Sequence, residues 1–149
     1  MANPFPFVAG AVLTAAELNG IGEAWTSYTP TLTQSATITK TIAYAKYARV
    51  NKLVIVQVMM TATSAGTGGN AIAVGLPIAS VNANGFGVIG TGMVYDLSAS
   101  TSYLGMPVID AGVVKFWNNA SAGNYLGASP SFAIASGDFI SFTVAIEVA

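Results

Sequence analysis

Few side chains in this sequence can move protons, hold metals or attack carbonyls. The 149-residue chain has no histidine and no cysteine. That inventory excludes Ser-His-Asp and Cys-His nucleophilic catalysis, ordinary zinc sites and disulfides. What remains is a carboxylate pair, as in glycoside hydrolysis, where one acid protonates the leaving group while the other attacks or activates water. The candidates are Glu17, Glu23, Asp96, Asp110, Asp138 and Glu147. Asp110 and Asp138 stand beside or near glycines in turn-like sequence, where Asp bonds its own backbone. Glu17 and Glu23 belong to the start and end of a helical stretch. Each acid thus has a structural use, and the expectation is a non-enzymatic chain with no cofactor and no metal.

Aromatic residues are the stronger candidates for contact with other molecules. Tyr95, Tyr103, Trp117 and Tyr125 lie at or near the ends of expected strands. A flat ring with a polar edge there can stack on a sugar or anchor a neighbouring subunit. The alternative is core packing, because aromatics are favoured inside sheets generally.

Charge is scarce. Charged residues are 7% of the chain and hydrophobic ones 53%, against roughly 25% and 45–50% in ordinary soluble domains. The surface is therefore left to Thr, Ser, Asn, Gly and Ala, which carry little repulsion between copies. Self-association follows, and closed symmetry makes a homotrimer the expected state. The net charge of −1 gives no basis for nucleic-acid binding, which needs many cations on phosphates. Lys40, Lys46, Arg49 and Lys52 do fall within thirteen residues, but strand alternation sets Lys40 and Lys46 on one face and Arg49 on the other, dividing the cluster.

Other motifs carry less. Gly85-Phe86-Gly87-Val88-Ile89-Gly90 fits G-x-G-x-x-G, yet a strand pattern follows it, and the amide-lined anion site of that motif needs a helix. Residues 53–95 hold no charge, but Thr61, Ser64, Asn70, Pro77 and many glycines interrupt them, so they make no membrane-spanning helix and no membrane insertion is expected. The first residues lack a basic region ahead of their apolar ones, which argues against a Sec-type signal and for synthesis in a cytoplasm.

The elements that must position these residues change character near residue 26. Thr14 and Glu17 have capping-box spacing, with Leu13 and Leu18 at the staple positions, and Leu18, Ile21 and Trp25 share a helical face. Ahead of this short helix, Pro4 and Pro6 hold an extended segment that displays Phe5 and Phe7. Residues 1–25 thus read as an arm and helix that either pack on their own domain or dock on another protein, with Phe5, Phe7, Leu13, Leu18, Ile21 and Trp25 as the attachment residues. From residue 28 the period becomes two. Ile38, Ile42 and Tyr44 alternate with Thr39, Thr41 and Ala43, and further strands are expected at 53–63, 71–76, 86–95, 103–109, 113–117 and 131–135. Asn51-Lys52 and Asp110-Ala111-Gly112 are turns. The last strand is the clearest, with Ile140, Phe142, Val144, Ile146 and Val148 on one side and Ser141, Thr143 and Glu147 on the other. The fold class is therefore all-β, an antiparallel β-sandwich of jelly-roll kind over residues 26–149 with one short N-terminal helix, since no second helical pattern supplies parallel crossovers.

Two stretches resemble known proteins. Residues Phe7-Val8-Ala9-Gly10-Ala11-Val12-Leu13-Thr14-Ala15-Ala16-Glu17-Leu18-Asn19 resemble the G-x-V-L-T-A-A-x-L-N segment at the N-terminus of many tail-fibre and minor tail proteins of tailed bacteriophages. Trp25-Thr26-Ser27-Tyr28-Thr29-Pro30-Thr31, followed by Tyr44-Ala45-Lys46-Tyr47 and Leu53-Val54-Ile55-Val56-Gln57-Val58, is similar to a β domain of phage fibre and head-decoration proteins. The resemblance covers roughly residues 7–80 and carries no catalytic position. It implies a virion surface protein, commonly trimeric, with other virion proteins as partners. With no repeat or heptad run to build a shaft, the expectation is a compact knob. Such a knob is either a tail-associated module that meets a host glycan or receptor, or a capsid decoration protein or short head fibre.

Overall fold

Alternating apolar residues specify strands, and the computed structural model, which describes residues 24–81, 84–85, 89–118 and 124–149, is all β with no helix among them. In chain order the strands are β1 (Thr26–Ser27), β2 (Leu32–Gln34), β3 (Ala36–Thr37), β4 (Lys40–Val50), β5 (Leu53–Ala62), β6 (Ala73–Gly75), β7 (Asn84–Gly85), β8 (Ile89–Asp96), β9 (Thr101–Asp110), β10 (Val113–Asn118), β11 (Asn124–Tyr125) and β12 (Phe139–Glu147). The strictest alternation lies in β5 and β12. Val54, Val56, Val58 and Met60 on one, and Ile140, Phe142, Val144 and Ile146 on the other, are buried while the residues between them are not. These two strands are direct neighbours, with Val144 opposite Val56 and Ile140 opposite Met60.

All pairings between named strands are antiparallel. They run in the order β1-β4-β5-β12-β8-β9-β10-β6-β2-β3, with β11 against β10 and β7 against β9. The sheet turns a corner along β9. Its first half pairs with β8, from Thr101 opposite Asp96 to Gly105 opposite Gly92, and its second half pairs with β10, from Met106 opposite Trp117 to Asp110 opposite Val113. One continuous antiparallel sheet therefore curls like half a barrel around a single core, which takes Leu32 and Val74 from one end and Val56 and Val144 from the other.

Missing side chains permit the corner. A Cβ at Gly92 would lie 2.7 Å from the Phe116 ring, and one at Gly105 2.8 Å from Phe116 Cβ. The phenyl group fills the space that these two glycines leave, as glycines do at sharp bends in curved sheets. It meets Phe142 edge to face, 5.7 Å between centroids at 69°.

A polar latch closes the other side of the core. Gln34 is fully buried; its Nε2 donates to the carbonyls of Asn70 (3.1 Å) and Phe132 (2.8 Å), and its Oε1 accepts from the amide of Ile134 at 2.9 Å. Residues 131–135, expected as a strand, are irregular because of this. Ser131 makes only an isolated bridge to Gly127, and the Ile134 amide goes to a side chain 100 residues away in sequence.

Simple alternation also fails in β4, where the register shifts between Ile42 and Tyr44. Lys40 and Ile42 stand opposite the buried Ala62 and Met60; beyond the bulge, Tyr44 and Lys46 stand opposite Met59 and Gln57, on the other face. Lys40 and Lys46 thus lie on opposite faces instead of sharing one, and Tyr44 is 43% exposed instead of sharing the face of Ile42. Arg49, opposite Val54, is on the Lys40 side. Among the described residues, only the two-residue β1 covers the outer edge of β4. A bulge and cations on such a strand discourage edge-to-edge pairing, which accounts for the cation cluster.

Of the expected N-terminal helix, only Ala24 and Trp25 are described, and both are irregular chain leading into β1. The attachment residues Phe5, Phe7, Leu13, Leu18 and Ile21 lie outside the described residues. Trp25 is 45% exposed, with Lys46 Nζ 4.7 Å from its ring centroid, a cation–π contact.

Candidate functional site

The curl leaves an outer face whose composition is set by the alternate residues of β4, β5, β12, β8 and β9. Cross-strand register lines these residues up in rows. One row runs Tyr44, Met59, Ser141, Met93, Leu104, and the next runs Lys46, Gln57, Thr143, Thr91. A third begins Ala48, Ile55, Ala145. Lys46 is the one charged residue in these three rows, and it lies over the rings of Trp25 and Tyr44. Leu104 is 76% exposed and Met106, on the same side of β9, is 44% exposed. Leu104 borders two depressions. The larger, about 600 Å3, also takes in Thr91, Met106, Trp117 and Asn118; the smaller, about 200 Å3, reaches Met93, Ser141 and Thr143.

Next to the larger groove, β10 and β11 bring two of the sequence-predicted residues together. Trp117 lies opposite Tyr125 in register, and their rings meet edge to face at 5.4 Å and 80°. Tyr125 also receives Lys115 Nζ at 5.1 Å over its ring, and its hydroxyl donates to Asp110. Lys115 Nζ is 2.8 Å from Asp110 Oδ2. Burial first, and then Asp110, push the Tyr125 hydroxyl above its ordinary pKa. The result is an aromatic corner held in place by an ion pair.

The other two predicted aromatics fall elsewhere. Tyr103 turns inward and stacks on Phe132, 4.5 Å apart at 10°, against the core. Tyr95 is half-buried and stacks on Phe139, its cross-strand neighbour, at 5.0 Å and 25°. Leu104 and Met106 were not singled out from sequence, because Tyr103, Gly105 and Pro107 make the opposite side of β9 apolar as well, and no alternation marks which side is outward.

Of the candidate acids, Glu17 and Glu23 lie outside the described residues, and Asp96, Asp110 and Asp138 have structural partners. Buried Asp138 accepts the amides of Leu97 and Ala135. Asp96 accepts the Ser98 hydroxyl and the Ala99 amide. Among the described residues every buried side-chain nitrogen or oxygen has a hydrogen-bond partner, and no three acids gather as a metal site would need. The hydrogen bonds from Lys115 and then Tyr125 hold Asp110 below the ordinary carboxylate value, as Ser98 and then Ala99 do for Asp96. Both are depressed relative to the unfolded 3.8. Their contribution is therefore present above about pH 4 and is lost as pH falls through the folded values. The melting temperature is expected to fall on acidification below about pH 4, and the double variant Asp96→Asn/Asp110→Asn to show a shallower fall. Circular-dichroism melts between neutrality and about pH 2 check this; an equally steep acid limb in the variant contradicts it.

Compared with protein-family models, with curated proteins and with solved structures, the chain matches none.

Proposed function

We propose that the chain is a non-enzymatic structural protein of a bacteriophage virion surface, a compact homotrimeric β knob held by its N-terminal segment and tail-associated as a fibre or receptor-binding module. The observation that carries this reading is the outer sheet face, with Leu104 76% exposed among rows of Met, Thr and Ser that include one lysine. Apolar patches of this kind mark sites that other macromolecules cover. Support comes also from the resemblance over residues 7–80. Asp96, Asp110 and Asp138 spend their oxygens on turns and on Lys115, which favours a binding role over proton chemistry.

Outside the groove lining, Tyr125 with Lys115 and Asp110 offers a ring beside polar atoms, the combination a host glycan uses. Purified protein is expected to bind host cells or their surface glycans saturably, and Tyr125→Ala to weaken binding by about tenfold, the ~1.4 kcal/mol scale of one anchoring aromatic. Absence of binding at any concentration contradicts the adhesion role.

A capsid decoration protein or short head fibre is the second reading, favoured by the lack of any shaft in the curled sheet of described residues. It requires hundreds of copies per particle, where the tail reading requires a few dozen or fewer.

A further inference from the structure

We infer that the face around Leu104 is where the next copy of the chain sits, with Leu104 and Met106 of one copy seated in the groove beside β9 of its neighbour. This rests on the trimeric reading above and names its surface. Leu104 is the most exposed large apolar side chain of this face at 76%, with Met106 beside it on β9 at 44%. Beside them lies a groove of about 600 Å3 walled by Thr91, Met106 and Trp117, large enough for a leucine and a methionine together. Leu104 and Met106 also form one wall of that groove, so ridge and hollow adjoin on one surface, and the ridge of one copy enters the hollow, not the ridge, of the next. Contact between unlike patches is heterologous, and heterologous contacts close into rings when the rotation permits.

Area and charge both point to a copy of this chain as the occupant. Five strands, β4, β5, β12, β8 and β9, form the face. At ~4.8 Å between strands and ~3.4 Å per residue, a face eight residues long covers about 600 Å2 in plan before side-chain relief is counted. That approaches the ~800 Å2 each partner gives to an ordinary stable interface. A foreign partner is usually selected by complementary charge, and the three central rows offer only Lys46, already engaged by Trp25 and Tyr44. Identical copies meeting through Thr, Ser, Met and Leu bring no like charges together.

The intact chain tests this in two ways. In sedimentation velocity at micromolar concentration, the wild type is expected as an assembly, and Leu104→Asp and Met106→Asp as monomers of 15.1 kDa with unchanged circular dichroism, since Leu104 is largely outside the core. The second test uses the absence of cysteine. Leu104→Cys is expected to react with a thiol reagent at least tenfold more slowly than Leu97→Cys, placed at a turn where Leu97 is 53% exposed, and dilution to monomer is expected to remove the difference. An assembled wild type whose variants stay assembled, or equal labelling rates within the assembly, overturns this surface while leaving the trimeric reading intact. A monomeric wild type overturns both.

Discussion

Phe116→Ala lowers the free energy of unfolding by about 3–5 kcal/mol, the largest single-residue loss expected in the chain. Phe116 is fully buried and packs edge to face on Phe142. What sets it apart from other core phenylalanines is the pair of glycines above it. Neither Gly92 nor Gly105 has a side chain to move into the void, and both backbones already belong to ladders, β8 with β12 and β9 with β8. The cavity therefore stays open, and its cost adds to the lost transfer energy. Urea denaturation of the variant measures it; a loss below about 1 kcal/mol would mean that the corner of the sheet relaxes and that Phe116 does not support it.

The second large effect is Gln34→Met, nearly equal in volume and expected to cost about 3 kcal/mol. Methionine fills the site but leaves the carbonyls of Asn70 and Phe132 and the amide of Ile134 without the partners Gln34 supplies. The site admits no solvent, since Gln34 is fully buried, and little space remains for rearrangement: a Cβ at Gly127 would lie 2.6 Å from Gln34 Nε2. Stranded groups of this kind cost their desolvation, whereas an exposed glutamine would cost little. Denaturant unfolding gives the total. Hydrogen exchange gives the location, with the Ile134 amide losing protection first. Wild-type protection at that amide would contradict the latch.

Both effects sit at places the sequence did not reveal, and the reason is the range of the interactions. Local pattern was enough for β5 and β12, whose buried residues alternate over eight or more positions. It was enough for the β9–β10 hairpin too, where Ala111 (φ 52°) and Gly112 (φ 77°) supply the two left-handed residues of a tight turn. It failed at β4, because one extra residue at the bulge reverses the faces that follow and leaves no compositional trace. It failed at 131–135, where alternation looks strand-like but the Ile134 amide is taken by Gln34. The curl depends on β9 changing partners at Gly105 and Met106, a fact of pairing rather than of pattern. At the candidate site, Trp117 and Tyr125 were recognisable as aromatics, but their meeting follows from the β10–β11 pairing. The Asp110–Lys115 pair follows from the β9–β10 hairpin, which sets the two residues on adjacent strands.

The role proposed for this protein turns on its presence, as a symmetric component, in an assembled particle. Quantitative mass spectrometry of purified virions measures that directly. The chain is expected in every particle in copies divisible by three. Particles that lack it, while the protein accumulates unassembled in the same lysate, would contradict a virion role.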